Sequence, residues 1–275
     1  MRNMLNAATT MGQLQQRMDL TSNNLSNVNN HGYKSRQSNF SSLMFQQVNN
    51  LLDHDQDALR QTPDGIRVGS GARLASTNMN MDVGTVEQTD RPLDVAIQDS
   101  NRFFVVNGPA GEGEMEERYT RAGNFYLSEL GDGEFMLTTS AGYPVEGQDG
   151  PVVIDDQFDD ISINELGQVE VTRDDETNVE ATLQVVDVNN TRVMEPVDGD
   201  TFVINEDELE VPVEDMVEAV APEQANLQSG ALEASNVDMG KEFTDLLESQ
   251  RAYSFNARSL SIGDQMLGLI GSMRN

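Results

Sequence analysis

The sequence predicts an α+β protein in which long N- and C-terminal helices pair as a coiled-coil-like axial domain, with an all-β domain between them. Three observations carry this. Apolar residues recur at every seventh position near both ends, apolar and polar residues alternate through the middle, and the charge is divided unequally between middle and ends. The formal charge is −30, from 17 Lys and Arg against 47 Asp and Glu. Residues 83–225 hold 6 of the bases and 35 of the acids, a net −29, whereas residues 1–82 sum to +1 and residues 226–275 to −2. Near-neutral ends suit segments that crowd together, because like charge would push them apart.

The first element, residues 1–34, places Met4, Met11, Met18 and Leu25 at one heptad position and Ala7, Leu14, Thr21 and Val28 at the other. A repeat held over about four heptads marks a helix–helix seam. A core helix of a single globule is the alternative, since Met and Thr make a weak seam. The helix should stop within residues 27–32, where Asn27 and Gly32 accept turn geometry. Residues 35–82 read as an extended connector. In the β domain, residues 83–205, the runs 93–97, 102–106, 168–171 and 183–188 read as strands, separated by turns such as Gly131-Asp132-Gly133 and Gln148-Asp149-Gly150. Residues 206–237, rich in Glu and Val with Pro212 and Pro222, read as a return connector.

Residues 238–275 form the second helix. One stripe is Leu246, Tyr253, Leu260 and Leu267; a second is Phe255, Ile262 and Leu269, with Met266 and Met273 beside it. A helix that is apolar on two sides must be buried on two sides. One partner helix cannot cover both stripes, so neighbouring chains are expected to do so.

Little in the chain points to chemistry. There is no Cys, which removes thiolate nucleophiles and Cys-ligated metals. His31 and His54 lie in polar stretches and read as surface residues, and no GxSxG elbow accompanies them. Gly69-Ser70-Gly71 lacks the later glycine of a dinucleotide loop. The acids at 155–156, 159–160, 198 and 200 lack calcium-loop spacing. The expectation is therefore no catalytic residue, no cofactor and no metal. Net negative charge argues against nucleic acid. No run of about 18 apolar residues is present to insert in a membrane, and no apolar core of a cleaved secretory signal is seen at the N-terminus. Abundant acid with Lys34 and Lys241 as the only lysines is the composition of proteins that work in high salt.

The two ends carry a resemblance. Residues 22–34, with Asn27, Gly32, Tyr33 and Lys34, resemble the N-terminal signature of bacterial flagellar rod and hook proteins, which reads approximately NNLANxxTxGYK. Residues 230–238, with Ser235, Asn236, Val237 and Asp238, resemble its GxLExSNVD, and Gln250-Arg251-Ala252-Tyr253 its QRAY. Residues 119–125 resemble its YTRxGxF. Residues 62–73 are similar to a Pro- and Gly-containing stretch of distal-rod proteins, with the proximal-rod protein as the nearest alternative. Residues 98–102 depart from the family, which places glycines before the Phe pair.

The resemblance implies a non-enzymatic subunit that polymerises with itself and with other rod and hook proteins. It implies export by the flagellar type III apparatus, a place in the basal body outside the cytoplasmic membrane, terminal helices in an inner tube, and torque carried to the hook. A cell-wall carbohydrate-binding module is the rival reading of the acidic β domain, weakened by the lack of Trp to stack on a sugar ring.

Overall fold

The computed structural model describes residues 2–42, 45–48, 66–69, 72–111, 114–131, 133–155, 157–174, 176–205, 212–213 and 216–273. His54, residues 62–65 and 70–71 of the distal-rod-like stretch, Asp132, Asp156 and the acidic run 206–211 lie outside the described residues. The chain forms two compact units. Unit 1 takes Met1–Leu25, Arg36–Asn78 and Met239–Asn275; unit 2 takes Ser26–Ser35 and Met79–Asp238.

Unit 1 holds both long helices. α1 spans Arg2–Ser26 and α2 spans Met239–Met273. α1 stops where Asn27, Asn29, Asn30 and Gly32 begin a turn, and Gly32 sits at φ 71°, a conformation that costs an L side chain about 1–2 kcal/mol. Asp238 immediately precedes α2, at the position where a short carboxylate favours a helix start. No described helix is long and apolar enough to cross a membrane. Unit 1 also contains strands where an extended connector was expected. Arg36–Ser42 is hydrogen-bonded to Ala72–Met79, and Phe45–Val48 runs antiparallel to Ile66–Gly69. Arg36–Ser42 and Phe45–Val48 are Gln- and Ser-rich, and their four- to eight-residue partners are too short or too mixed to stand out as strands by apolar alternation.

Unit 2 is built on a six-stranded sheet. Its order is Met194–Pro196, Thr201–Ile204, Glu114–Thr120, Arg102–Gly111, Val185–Val188 and Val217–Ala219. The strand Arg102–Gly111 is central, and its residues 103–106 are buried on both faces. Phe104 and Val106 enter one core with Phe125, Leu137 and Val185, while Phe103 and Val105 enter a second with Val186, Met194 and Phe202. A continuous apolar run is what two buried faces require. Edge-to-face aromatic pairs fix each side, Phe104 on Phe125 with ring centres 5.2 Å apart and Phe103 on Phe202 at 5.9 Å.

A three-stranded sheet covers the first core. Asp160–Ile163 pairs with Gln168–Arg173 so that Ile161 faces Val171 and Ile163 faces Val169, all four buried. Its other neighbour, Glu176–Thr182, is an exposed edge carrying Glu176 and Glu180, charges that discourage edge-to-edge pairing. Strands also continue past residue 205, where a return connector was expected. Leu227–Ser229 pairs with Val95–Ile97, and Ala231–Glu233 with Val86–Gln88. Three-residue strands are too short to show a period.

Candidate assembly interface

On α1, the heptad residues lie along one side. Ala7 and Thr21 are buried; Met4, Met11, Leu14, Met18 and Leu25 are half-buried, as is Val28 just beyond the helix in unit 2. Among the described residues, contacts near both ends and in the middle of α1 join it to α2. Met4 packs on Gly263, where an added Cβ would lie 2.9 Å from its Cγ. Arg17 pairs with Asp245 at 2.9 Å, and the Asn24 amide donates to the Glu242 carboxylate at 3.2 Å. As the α1 residue number rises the α2 number falls, so the helices run antiparallel.

The α2 face that meets α1 has two rows. Leu246, Tyr253 and Leu260 are half-buried. Beside them, also at seven-residue spacing, stand Glu242, Ser249, Asn256 and Gly263, of which Glu242 and Ser249 are buried. The sequence reading missed this second row because it is polar and small, and only its period could have revealed it. The row gives the pair little hydrophobic drive. The Ser249 hydroxyl is fully buried and has no hydrogen-bond partner among the described residues, an arrangement that costs stability. Burial pushes the Glu242 carboxyl above its ordinary range, the Asn24 hydrogen bond opposes this, and Asp245 adds to it. The half-exposed Arg17–Asp245 pair contributes at most about 1 kcal/mol.

The second stripe is left uncovered for most of its area, although Ile262 also borders a groove that it shares with Met4 and Ala7 of α1. Phe255 is 72% exposed, Ile262 57% and Leu269 64%, and Leu267 at the end of the first stripe is 40% exposed. Met266, Ile270 and Met273 extend the same exposed apolar surface. Gln250 and Arg251 are exposed and line a shallow groove with Ser254, Phe255 and Arg258. Isolated apolar residues on a surface need no explanation, but a contiguous patch along one helix marks an interaction face.

The other signature residues gather elsewhere, inside unit 2, around a buried cluster of charge. The Lys34 ammonium donates to Glu233 Oε1 at 2.7 Å and to the carbonyl of Asp82 at 2.7 Å. Arg121 Nε donates to Glu233 Oε2 at 2.7 Å, and the Gly84 amide donates to Oε1 at 2.8 Å. All three charged side chains are 0–1% exposed. Burial lowers the Lys34 pKa to about 8, aided by the nearby Arg121 guanidinium and opposed by Glu233. Burial alone would raise the Glu233 carboxyl, but Arg121 and Lys34 outweigh it and hold the group below its usual value.

The backbone closes tightly around this cluster. The Gly32 amide donates to the Glu233 carbonyl at 2.9 Å, and a Cβ at Gly32 would sit 2.5 Å from the Ala122 nitrogen. Tyr33 is buried beside it. The Asn236 side chain accepts from the Ser35 amide at 2.8 Å and donates to the carbonyls of Asn80 and Asp82 at 2.8 and 2.9 Å. Ser235 Oγ accepts from the Val237 amide at 3.3 Å, Val237 is buried, and Asp238 is exposed. Asn27 accepts from the Asn30 side chain at 2.7 Å. His31, expected on the surface, is half-buried, because the turn holding it packs into unit 2. Glu233 and Arg121 were missed as partners of Lys34, since nothing in a sequence pairs charges so far apart. An acid flanked by Leu232 and Ala234 was the available signal.

Arg121 also accounts for the departure at residues 98–102. Its guanidinium donates to the carbonyls of Ile97, Asp99, Ser100 and Arg102 at 2.7 to 3.2 Å, so one buried cation wraps the turn from inside. No residue of that turn has positive φ, so the missing glycines are not needed.

Comparison with known proteins follows the same three segments. Residues 4–34 match the family model described as flagella basal body rod protein. Residues 96–171 match the flagellar hook protein FlgE/F/G D1 domain. Residues 228–272 match the C-terminal model of flagellar basal body rod FlgEFG proteins. Each matched segment supplies one member of the buried cluster: Lys34, Arg121 and Glu233. The chain is 37% identical over 280 residues to the flagellar hook-basal body complex protein FlhP of Bacillus subtilis, covering all of both chains. It is 31% identical to the flagellar basal-body rod protein FlgG of Caulobacter vibrioides, covering 98% of each, and 26% identical to the FlgG of Bacillus subtilis, covering 97% of each.

Proposed function

The chain belongs to the flagellar basal-body rod protein family, and from that premise we propose that it is a structural subunit of the distal rod. Its role is mechanical rather than catalytic. The observation that carries the reading is the apolar stripe of Phe255, Ile262 and Leu269, exposed along a helix in a chain of this family. In the rod, α1 and α2 pack in coiled-coil fashion against the helices of neighbouring copies, burying both stripes. The subunit meets other rod and hook proteins at the ends of its own segment, reaches the basal body through the flagellar type III apparatus, and passes torque towards the hook. The five segments at 1–34, 35–82, 83–205, 206–237 and 238–275 divide this work into helix, excursion, body, return and helix.

A strain lacking the protein tests the position. Its basal bodies, viewed by electron microscopy, should keep a proximal rod and stop short of the hook. Loss of the whole rod would move the subunit to the proximal segment, and normal hooks would end the reading.

Charge gives a second test. The acidic middle should make copies repel at low ionic strength, where the screening length is about 30 Å at 0.01 M salt and about 3 Å at 1 M. Self-association of the purified protein, followed by sedimentation, is expected to rise across that range, since salt leaves apolar packing intact. Dissociation on adding salt would mean that the contacts are ion pairs instead.

A further inference from the structure

The signature residues of unit 2 are not on the exposed stripe, which leaves their role unassigned. The chain passes between unit 1 and unit 2 four times: after residues 25, 35, 78 and 238. The segments of unit 2 next to these passages are bonded to one another. Gly32 donates its amide to the Glu233 carbonyl, and Asn80 donates its amide to the Ser35 carbonyl at 2.9 Å. Lys34 joins Glu233 to the carbonyl of Asp82. Asn236 joins its own segment to two others, accepting from Ser35 and donating to Asn80 and Asp82. Residues 32–35, 80–84 and 233–236 therefore form one knot, with a buried ionic centre.

We propose that Gly32, Lys34, Ser35, Asn80, Glu233 and Asn236 form a mechanical splice that holds the passages after residues 35, 78 and 238 at fixed spacing, with Asn236 as its positioning residue. Tension arriving along either terminal helix enters the β unit at this knot. It is shared among several hydrogen bonds loaded together, instead of peeling one strand at a time. The apolar stripe is the surface that joins copies, and the splice joins each copy's own segments; the load-carrying part of this proposal rests on the rod reading above.

Asn236→Ala and Asn236→Asp separate the possibilities. In the purified full chain, Asn236→Ala should speed hydrogen exchange at the Ser35 and Asn80 amides by at least about tenfold relative to core amides such as Val105. Asn236→Asp keeps the acceptor for Ser35 and should restore protection there. In cells, Asn236→Ala rods should assemble and drive swimming in dilute medium, while swimming speed in viscous medium falls at least twofold below that of wild type. Unchanged exchange would overturn the splice whatever the protein's place in the rod. Faster exchange with wild-type swimming at every viscosity would show that the knot carries no load, and equal loss at all viscosities would make Asn236 an assembly residue; either result overturns the proposal.

Discussion

Glu233→Gln is expected to unfold the β unit under conditions where the wild-type protein is stable. The substitution keeps the shape and removes the buried carboxylate that Lys34 and Arg121 share. Leaving buried cations without their partner costs about 3–5 kcal/mol, which in a chain of this size lowers the thermal midpoint by about 10 °C.

The dependence on pH follows from the shifted groups. Glu233 is held below its ordinary value, so its contribution is complete above the unfolded carboxylate pKa and is lost as pH falls through the folded one. The wild-type urea midpoint should therefore fall in acid more steeply than that of Glu233→Gln. Lys34 titrates near 8 when folded against 10.5 when unfolded, so raising the pH between those values favours the folded state through this group. In Glu233→Gln the raising influence of Glu233 on Lys34 is gone, so Lys34 sheds its stranded charge still more readily and the mutant should recover part of its deficit as the pH rises. Lys34→Met should cost far less, since Glu233 keeps Arg121 and the Gly84 amide. A Glu233→Gln midpoint within about 2 °C of wild type would show that the cluster contributes little.

Replacing Phe255 and Ile262 together by Asp should leave the isolated protein folded and abolish its assembly into the rod. Both side chains are exposed on the free chain, where a polar substitution changes stability by no more than about 0.5 kcal/mol. In a polymer that buries the stripe, each copy would carry two unpaired charges at several kcal/mol apiece. Circular dichroism should match wild type, while cells lose motility and their basal bodies end before the hook. A double mutant that swims normally would place the contact surface somewhere else on the chain.

How far the sequence could be read varied with the physical signal. Both helices were legible because a seven-residue repeat is local and long. The doubly buried strand was legible because Phe103, Phe104, Val105 and Val106 follow one another. The strands at 36–42, 45–48, 66–69 and 72–79 were not, since they are short or mix polar and apolar residues without a sustained alternation. The row Glu242, Ser249, Asn256 and Gly263 was hidden because a search for apolar period passes over polar residues that pack. Lys34 was noticed within a signature, but its partners Arg121 and Glu233 sit in separate segments, and only the folded chain brings them together.

The hydrogen bond from the Asn80 amide to the Ser35 carbonyl closes the base of everything between them. Residues 36–78 therefore leave unit 2 and re-enter it beside the point of departure. With that base closed, inserting or removing residues between them changes the closure entropy only slowly, by about 0.6 kcal/mol for each doubling of a flexible loop. The excursion can thus change in length or sequence while unit 2 keeps the same sheets, the same cores and the same buried charges.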